Sequence, residues 1–497
     1  MYEDRILSAD LRKKVMSAEA AADFVKSGMT ISASGFGRIG YPKAVPLAIA
    51  RKGDIRDLTL ICGSSVGDEL DGELAKSGAM SRRYLYQTQT DVRKGINDGT
   101  IHFADTHLSR LSKLVRSSEL GRLDIAILEC CLVLGDGSIV PTLSVGSSDV
   151  FAECAEQVIL ELNLLHPTAL YGLHDIAGVA ACESGMRHAS DRMGSPTIRI
   201  DPARIAAIVI TEIPDQNPVY VTPDEQSQTI ASLLIDYLDH EIRHGRLTKG
   251  FSLQSGVGAV ANAVLTGLAG SHFRQMPIFT EVIQDGALRL LELGVAAYAS
   301  GTSLNLSREA EAHFYKEYAF FRDKIILRPL EISNCHTLIR RFDVVAMNTA
   351  VEMDIYGNVN STHVAGTHML NGIGGSADFA RNAELTFFIT PSVTKNGDIS
   401  CIIPMVTHVD HTEHEAQILV TEQGIADLRG LSPKERARRV IENCCHTDYR
   451  PELRAYFDRA CAMTGNTHTP HDLQTAFAMH TRYRESGTMK ATKTTEN

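Results

Sequence analysis

One segment of the sequence places a carboxylate among residues that favour a buried strand. Phe279, Val282 and Ile283 are apolar and strand-forming, yet Glu281 stands between them. A carboxylate in apolar surroundings is costly unless it is paired or functional, so Glu281 is the first candidate for chemistry. The alternative interpretation of this segment alone is a glutamate that faces solvent from a half-exposed strand.

Two glycine-rich loops could bind an anion. Gly256 and Gly258 begin a run of good helix formers, and Gly372, Gly374 and Gly375 precede a second predicted helix start. Glycine permits sharp turns with exposed amides, and a helix N-terminus adds unpaired N–H groups and partial positive charge. Such loops can hold a phosphate, or an oxyanion that forms only in a transition state. The alternative for the first loop alone is a tight structural turn, and this loop lacks the G-x-G-x-x-G spacing of a dinucleotide site.

The segment from His408 to His414 has histidine and aspartate spacing that a metal site could use. It lacks a clear helical pattern, so we favour loop structure or a substrate contact and predict no metal. Neither a G-x-S-x-G elbow nor a G-x-x-x-x-G-K-[ST] loop occurs in the chain.

The elements that must position these residues are short buried strands that alternate with helices. This alternation predicts an α/β fold with parallel sheets covered on both faces. The predicted strands lie at 58–63, 123–128, 157–162 and 205–210, and near 279–283, 344–348, 385–389 and 418–421.

A break in this alternation suggests a domain boundary near residue 220. The segment Pro214–Pro218 is typical of a linker, and a helix should follow it, with Thr222 as cap, Pro223 in the first turn and Glu225 completing a capping box. The 497 residues exceed what one core usually supports, so two large domains are expected.

Composition limits the class of protein. The net charge of −11 argues against nucleic-acid binding. The chain has neither a long uncharged apolar stretch nor an N-terminal signal pattern, so we expect no membrane association. The ten cysteines are scattered without C-x-x-C spacing, which favours reduced thiols in the cytoplasm.

Six blocks of sequence, in order along nearly the whole chain, resemble the acetyl-CoA hydrolase/transferase family within the class I CoA-transferases. The resemblance is closest to the succinyl-CoA:acetate CoA-transferases. The blocks are 34–36 with 40–43, 254–258, 280–285, 354–362, 371–376 and 421–430.

The resemblance implies two tandem open α/β domains with the active site at their interface. We assign 1–220 to the N-terminal domain, 221–488 to the C-terminal domain that carries the nucleophile, and 489–497 to a disordered tail. The family pattern marks Glu281 as the nucleophile and the amides of Val257 and Gly375 as the oxyanion hole. It places coenzyme A contacts on Val257, Gly258, Ala259, Val260, Ala261, Asn334, Val351, Asn371, Gly375 and Lys395.

The chain departs from the family pattern at three places. Ala259 stands where asparagine is common and Ala377 where glycine is common, and both replacements are small. The segment Pro214–Asn217 lacks the arginines that some succinyl-CoA:acetate enzymes carry, which weakens the assignment of the acid pair more than that of the reaction class.

The activity that the resemblance implies is transfer of CoA between short-chain carboxylic acids, from succinyl-CoA to acetate, through a glutamyl-CoA thioester on Glu281. Coenzyme A would be a substrate, no cofactor or metal is expected, and we expect a homodimer. The alternatives are an acyl-CoA hydrolase, in which water replaces the second acid, and a propionyl-CoA:succinate CoA-transferase. A nucleotide-binding or regulatory α/β protein without chemistry belongs to a different class.

Overall fold

The computed structural model describes residues 2–465 and 467–491. The chain forms two compact units. The first contains Met1–Tyr220, Phe273–Phe342 and Gly372–Asp378, and the second contains Val221–His272, Asp343–Asn371 and Phe379–Asn497.

The first unit is built on a seven-stranded sheet in which every pairing described is parallel. All four strands predicted in this half are present. In spatial order the strands are His102–Ala104, Met80–Tyr84, Leu58–Ser65, Thr30–Gly37, Ile125–Cys130, Gln157–Asn163 and Ile205–Thr211.

Alternate residues of a central strand supply two separate cores. Ile125 and Ile127 pack into the cluster on one face of the sheet, whereas Ala126 and Leu128 pack into the cluster on the other. Successive side chains of a strand point to opposite faces, so a strand buried on both sides must be apolar throughout. This confirms the predicted α/β class.

The helices of the first unit are short. They are Ala9–Arg12, Ala18–Ala22, Ala44–Lys52, Glu73–Lys76, Thr90–Asn97, Leu111–Arg116, Ser148–Cys154, Val179–Gly185, Asp285–Glu292, Arg308–Lys316, Tyr318–Phe321, Leu330–Ser333 and His336–Arg341. A small antiparallel pair, Leu132–Val133 with Ile139–Val140, completes the 1–220 portion.

Residues 273–342 belong to the first unit, although the sequence placed them with 221–488. The amides of Val145 and Gly146 donate to Thr302, at 2.9 Å and 3.0 Å, and Leu330 N donates to Gly146 O at 2.7 Å. These long-range bonds leave no trace in local sequence pattern. The segment contributes the parallel strands Ile325–Leu327, Ala296–Gly301 and Met276–Phe279, in that order, and a parallel pair of Val282–Ile283 with Ser303–Leu304.

The second unit contains parallel strands that end in an antiparallel hairpin. The predicted strands 344–348, 385–389 and 418–421 are all confirmed. The order is Ser252–Ser255, Val344–Thr349, Leu385–Ile389, Ile418–Thr421 and Gly424–Asp427.

Smaller strands and five helices complete the described part of the second unit. The strand Glu352–Asp354 lies between Val359–Asn360 and Ile402–Ile403, and two short pairs join His363–Val364 to His368–Met369 and Val393–Thr394 to Ile399–Ser400. The helices are Glu225–Arg243, Ala259–Ala269, Pro433–Cys444, Arg450–Thr464 and Ala478–Ser486, and a further helix, Ser376–Asn382, begins in the first unit.

The chain around residue 220 differs from the sequence prediction. The helix Glu225–Arg243 is present, but its cap is Asp224, whose side chain accepts from Ser227 N at 2.8 Å, and not Thr222. Asp215, within the predicted linker, is buried and pairs with Lys43, so this segment is anchored in the first unit.

The C-terminal end is described as far as residue 491. Met489, where the predicted tail begins, is buried, and its amide donates to Asp398 O at 2.7 Å. Positions 492–497 of that predicted tail lie outside the described residues. Among the helices described, none combines the length and apolar character needed to cross a bilayer.

Candidate active site

Glu281 lies in a bend, and not within the continuous strand that the sequence predicted. The strand Met276–Phe279 ends before it and the pair of strand residues Val282–Ile283 follows it. The amides of Thr302 and Ser303 donate to the carbonyl oxygen of Glu281, at 2.8 Å and 3.2 Å. These two bonds fix the backbone of the bend, and Glu281 itself lies outside the strands on either side.

The side chain of Asn334 binds the Glu281 carboxylate. Its Nδ2 donates to Glu281 Oε1 at 2.7 Å and to Asp378 Oδ2 at 3.0 Å, and its Oδ1 accepts from Ser333 Oγ at 2.8 Å. Asn334 follows the short helix Leu330–Ser333, whose first amide is bonded to Gly146. One amide group thus bridges two carboxylates.

Gly375 lies against the same carboxylate. A Cβ added at this position would collide with Glu281 Oε1 and with Asn334 Nδ2, so only glycine fits. The preceding Gly374 has φ of +62°, in the left-handed region that glycine adopts without strain. The two glycines bring the backbone of the loop into direct contact with Glu281.

The loop that carries Gly375 is anchored to the seven-stranded sheet. Gly372 N donates to Gln87 O at 3.2 Å, and Ile373 N donates to Asp105 Oδ2 at 2.6 Å. A Cβ at Gly374 would lie 3.3 Å from the ring of Tyr86. These contacts fix the position of the Gly375 backbone before any substrate binds.

Burial raises the pKa of Glu281 to about 7 from an ordinary value of 4.5. The amide of Asn334 acts in the opposite direction, and the negative charge of Asp378 raises the pKa further. Tyr86 shares this environment, because burial and then the charges of Glu281 and Asp105 raise its pKa to about 12. Within the first unit, no described lysine, arginine or histidine forms an ion pair with Glu281.

The second unit carries the other predicted loop. Gly258 has φ of +110° and directly precedes the helix Ala259–Ala269, and the side chain of Val257 is 51% exposed. The predicted contacts from Val257 to Ala261 therefore lie in the turn and first residues of an eleven-residue helix. Its first amides have no partner within the helix and can meet an anion.

Three further predicted contacts lie in or beside the lining of one cavity of the second unit. This cavity has a volume of about 250 Å³ and a mainly apolar lining that includes Val351. Asn371 and Lys395 each follow a lining residue, Leu370 and Thr394 respectively, and Lys395 Nζ donates to the hydroxyl of Tyr483, another lining residue, at 2.6 Å. Val351 thus lines this cavity, and Asn371 and Lys395 lie next to it along the chain.

Comparison with known proteins decides the family. Residues 2–210 match the acetyl-CoA hydrolase/transferase N-terminal domain, and residues 311–457 match the acetyl-CoA hydrolase/transferase C-terminal domain. The chain belongs to the acetyl-CoA hydrolase/transferase family. This confirms the predicted family and the predicted enzyme class.

Relatives in this family carry several activities. The succinyl-CoA:acetate CoA-transferase of Clostridium kluyveri is 46% identical over 98% of this chain and 92% of its own length. The acetyl-CoA hydrolase of Schizosaccharomyces pombe is 42% identical, over 99% of each chain. The propanoyl-CoA:succinate CoA transferase of Escherichia coli is 39% identical, over 95% of this chain and 98% of its own.

Solved structures share the fold. RipA from Yersinia pestis matches with a TM-score of 0.72 at 23% identity, over 92% of this chain and 99% of its own. A 4-hydroxybutyrate CoA-transferase from Porphyromonas gingivalis matches with a TM-score of 0.64 at 21% identity, over 92% of this chain and all of its own. The CoA-transferase fold predicted for this family member is confirmed.

The structure divides the predicted site residues of this acetyl-CoA hydrolase/transferase into two sets. Glu281, Asn334 and Gly375 come together in the first unit, and Asn334, expected as a coenzyme A contact, binds the carboxylate of Glu281. The second unit holds the remaining predicted contacts, which are Val257, Gly258, Ala259, Val260, Ala261, Val351, Asn371 and Lys395.

Sequence reasoning gave no role to Asp378 or Tyr86. Asp378 follows the glycine loop in the first turn of the helix Ser376–Asn382. A carboxylate directly after a predicted anion-binding loop could have marked it in the sequence as a candidate site residue. Tyr86 left no such signal, because it reaches the loop only through the tertiary fold.

The predicted non-metal segment forms local contacts. His411 is buried and bonded to Glu415 at 3.2 Å, and His408 lies 3.3 Å from Asp410. Among the described residues, a different trio, Glu129, His166 and Asp215, has ligand atoms within 4.8 Å of one another.

Proposed function

We propose that this enzyme transfers coenzyme A between short-chain carboxylic acids through a covalent glutamyl-CoA thioester on Glu281. The observation that carries the proposal is the carboxylate of Glu281, whose pKa is raised to about 7, held by Asn334 against the backbone of Gly375. A desolvated carboxylate exchanges hydration for fixed protein dipoles and becomes a better nucleophile.

The reaction begins when an oxygen of Glu281 attacks the thioester carbonyl of acyl-CoA. The carbon–sulfur bond breaks, which leaves an acyl-glutamyl anhydride and the thiolate of coenzyme A. The thiolate then attacks the glutamyl carbonyl of the anhydride, releasing the first acid as a carboxylate and forming glutamyl-CoA. The second acid runs the two steps in reverse and leaves as its CoA ester. Covalent catalysis divides one difficult exchange into easier steps and preserves the thioester.

Each addition step forms a tetrahedral oxyanion that needs donors. The amides of Gly375 and Val257 are the proposed pair. The contact between Gly375 and Glu281 supports the first of them, and the turn before the helix Ala259–Ala269 supports the second. Where such donors have been removed from other enzymes, each proved worth roughly 2.7–4 kcal/mol.

Coenzyme A binding is proposed for the turn at Val257–Ala261 and for the cavity beside Val351, Asn371 and Lys395. The ammonium group of Lys395 suits a phosphate, and the apolar lining suits the aliphatic part of the molecule. Coenzyme A is a substrate in this scheme, and no metal or added cofactor is required.

The proposed acid pair is succinate and acetate, with succinyl-CoA as donor. The relative from Clostridium kluyveri supports it by the substrates in its name. A hydrolase is the second candidate, because the relative from Schizosaccharomyces pombe carries that name at 42% identity. The transfer between propanoyl-CoA and succinate, supported by the relative from Escherichia coli, ranks below both.

We also propose that the enzyme is cytoplasmic and dimeric. All ten cysteines are free thiols, which supports a reducing compartment such as the cytoplasm. We propose a homodimer, which light scattering would test.

Initial rates with succinyl-CoA, with and without acetate, separate transfer from hydrolysis. Acetyl-CoA should appear only when acetate is present. Double-reciprocal plots should give parallel lines, because the first acid leaves before the second reacts. CoA release at the same rate without acetate would establish the hydrolase. Intersecting lines would count against a covalent route.

A further inference from the structure

Asp378 is a buried carboxylate beside the proposed nucleophile, and the mechanism above does not use it. Its side chain is only 1% exposed. It lies three residues after Gly375, in the first turn of the helix Ser376–Asn382. A buried carboxylate is normally stabilised by an oppositely charged partner or by several hydrogen bonds.

Donors surround the Asp378 carboxylate on both oxygens. Oδ2 accepts from Ser109 N and from Asn334 Nδ2, each at 3.0 Å. Oδ1 accepts from Ser109 Oγ at 2.6 Å and lies 3.2 Å from His336 Nε2. Such a set holds the carboxylate in one orientation.

The shared amide of Asn334 connects this carboxylate to Glu281. If the amide were rotated by 180°, its oxygen would face both carboxylates, which is repulsive. Asp378 and the hydroxyl of Ser333 therefore select the orientation in which Nδ2 donates to Glu281 Oε1. Among the described residues of the first unit, the donor recorded on this carboxylate is Asn334, which binds Oε1, so Oε2 remains available to attack.

We propose that Asp378 is a positioning residue for the CoA-transfer reaction. Through the amide of Asn334 it presents Glu281 for attack, and its negative charge favours the uncharged, covalently modified forms of Glu281. The inference rests on the proposed function of Glu281.

The charge argument follows from the change in Glu281 during the reaction. Free Glu281 is an anion close to a second anion, whereas the anhydride and the thioester are uncharged at this position, so repulsion is relieved when they form. The titratable groups recorded beside the pair in the first unit include Tyr86, Asp105 and His336. Of these, only His336 can bring positive charge, and it lies against Asp378.

Substitution D378N tests the proposal, because asparagine keeps the size and removes the charge. The maximal rate should fall roughly tenfold, and the pH at which Glu281 is half protonated should fall by about one unit, the equivalent of a tenfold change in an equilibrium. The KM for acyl-CoA should stay within a factor of about two, as expected when a transition-state interaction is lost. General structural damage would lower the rate without moving the protonation midpoint downward.

The matched control is S109A, which removes the hydroxyl donor to Oδ1 and keeps both the backbone donor and the charge. Its protonation midpoint should equal that of the wild type, and its maximal rate should fall by roughly threefold, less than in D378N, since one hydrogen bond is lost and the charge remains. Should D378N fail to fold, S109A decides the matter, because a wild-type rate in this variant would overturn the positioning role.

Protonation is read without any transfer activity, by labelling Glu281 with a carbodiimide and an amine over a range of pH and quantifying the peptide that contains it. An unchanged labelling midpoint in D378N would overturn the proposal, even in an active enzyme. Failure of the wild type to transfer CoA would instead overturn the proposed function, and the labelling midpoints would still report whether Asp378 acts on Glu281.

Discussion

The first unit contains two buried pairs of carboxylates that differ in what lies between them. Lys43 stands between Glu129 and Asp215, with its ammonium 2.6 Å from one and 2.7 Å from the other. Glu281 and Asp378 are bridged instead by the neutral amide of Asn334. The ammonium of Lys43 compensates the charge of the first pair, whereas the second pair is bridged by a neutral amide.

The compensated pair is also saturated with other donors. Thr142 and Asn163 donate to Glu129, at 2.9 Å and 3.1 Å, and Gly40 N donates to Asp215 at 3.1 Å. Burial acts to lower the pKa of Lys43, but the charges of Asp215 and Glu129 outweigh it and raise that pKa above its ordinary value. The ammonium occupies the place that a metal ion would need between these two carboxylates.

The difference indicates a structural role for the pair of Glu129 and Asp215 and a chemical role for Glu281. A carboxylate that is fully paired has little reason to react, whereas a buried carboxylate with one neutral donor is held in a state of high free energy. Glu281 is of the second kind, and the adjacent charge of Asp378 adds to this effect. The comparison predicts that changes at the two pairs will affect different properties of the enzyme.

The largest expected effect is that of Glu281→Gln. The amide keeps the shape of the side chain but cannot act as the nucleophile, so the transfer rate should fall by roughly 10⁴-fold or more. Circular dichroism and coenzyme A binding should remain those of the wild type. A variant that retained a substantial fraction of the rate would show that another group forms the covalent bond.

Gly375→Ala should produce the next largest effect. The added methyl would collide with Glu281 and Asn334, so the loop must move and its amide would be lost from the reacting centre. We expect a loss of about 10²–10³-fold in kcat, the usual cost of one oxyanion donor. Gly135→Ala is the control, because a Cβ there meets nothing within 4 Å. Equal rates in the two variants would contradict the proposed role of the loop.

The raised pKa of Glu281 predicts an acid limb in the pH profile. Attack requires the ionised carboxylate, so kcat/KM should be constant well above pH 7 and fall as the pH drops through about 7. Well below that midpoint the loss should be about tenfold per pH unit. A limb near the ordinary value of 4.5 would show that Glu281 is not desolvated in the free enzyme.

Lys43→Met should have the smallest effect on turnover and a large one on stability. It would leave two buried carboxylates without their cation, and we expect the free energy of unfolding to fall by about 3–5 kcal/mol. The folded fraction should transfer CoA at a rate within about twofold of the wild type, since no transition-state interaction is removed. Lys52→Met, which breaks a surface pair with Asp23, is the control and should change little. If Lys43→Met lost turnover without losing stability, the proposed difference in role between the two pairs would be contradicted.

Local pattern was enough to predict several of the strands and the two glycine loops. The run from Ile125 to Leu128 is apolar at every position because both faces are buried, and a pattern of that kind is visible in sequence. Gly258 and Gly374 both have the positive φ that a turn before a helix can require. Glu281 stood out because its charge conflicts with its neighbours.

Contacts between distant residues could not be predicted in this way. Glu281 lies in a bend because Thr302 and Ser303 bind its carbonyl, and no neighbour in sequence indicates this. Asp215 looked like part of a linker because its partner, Lys43, is 172 positions away. Asp378 became visible only when the fold placed it beside Asn334.

Trapping of the covalent intermediate tests the central claim most directly. Incubation with succinyl-CoA in the absence of an acceptor acid should accumulate glutamyl-CoA at Glu281, because this thioester and the substrate thioester are of similar energy. Borohydride reduces a thioester but not a free carboxylate, so it should inactivate the enzyme and convert Glu281 to an alcohol in the peptide that contains Thr280–Gly286. Acetate or succinate added first should protect by discharging the intermediate. Modification of a different residue, or none while transfer proceeds, would contradict the account.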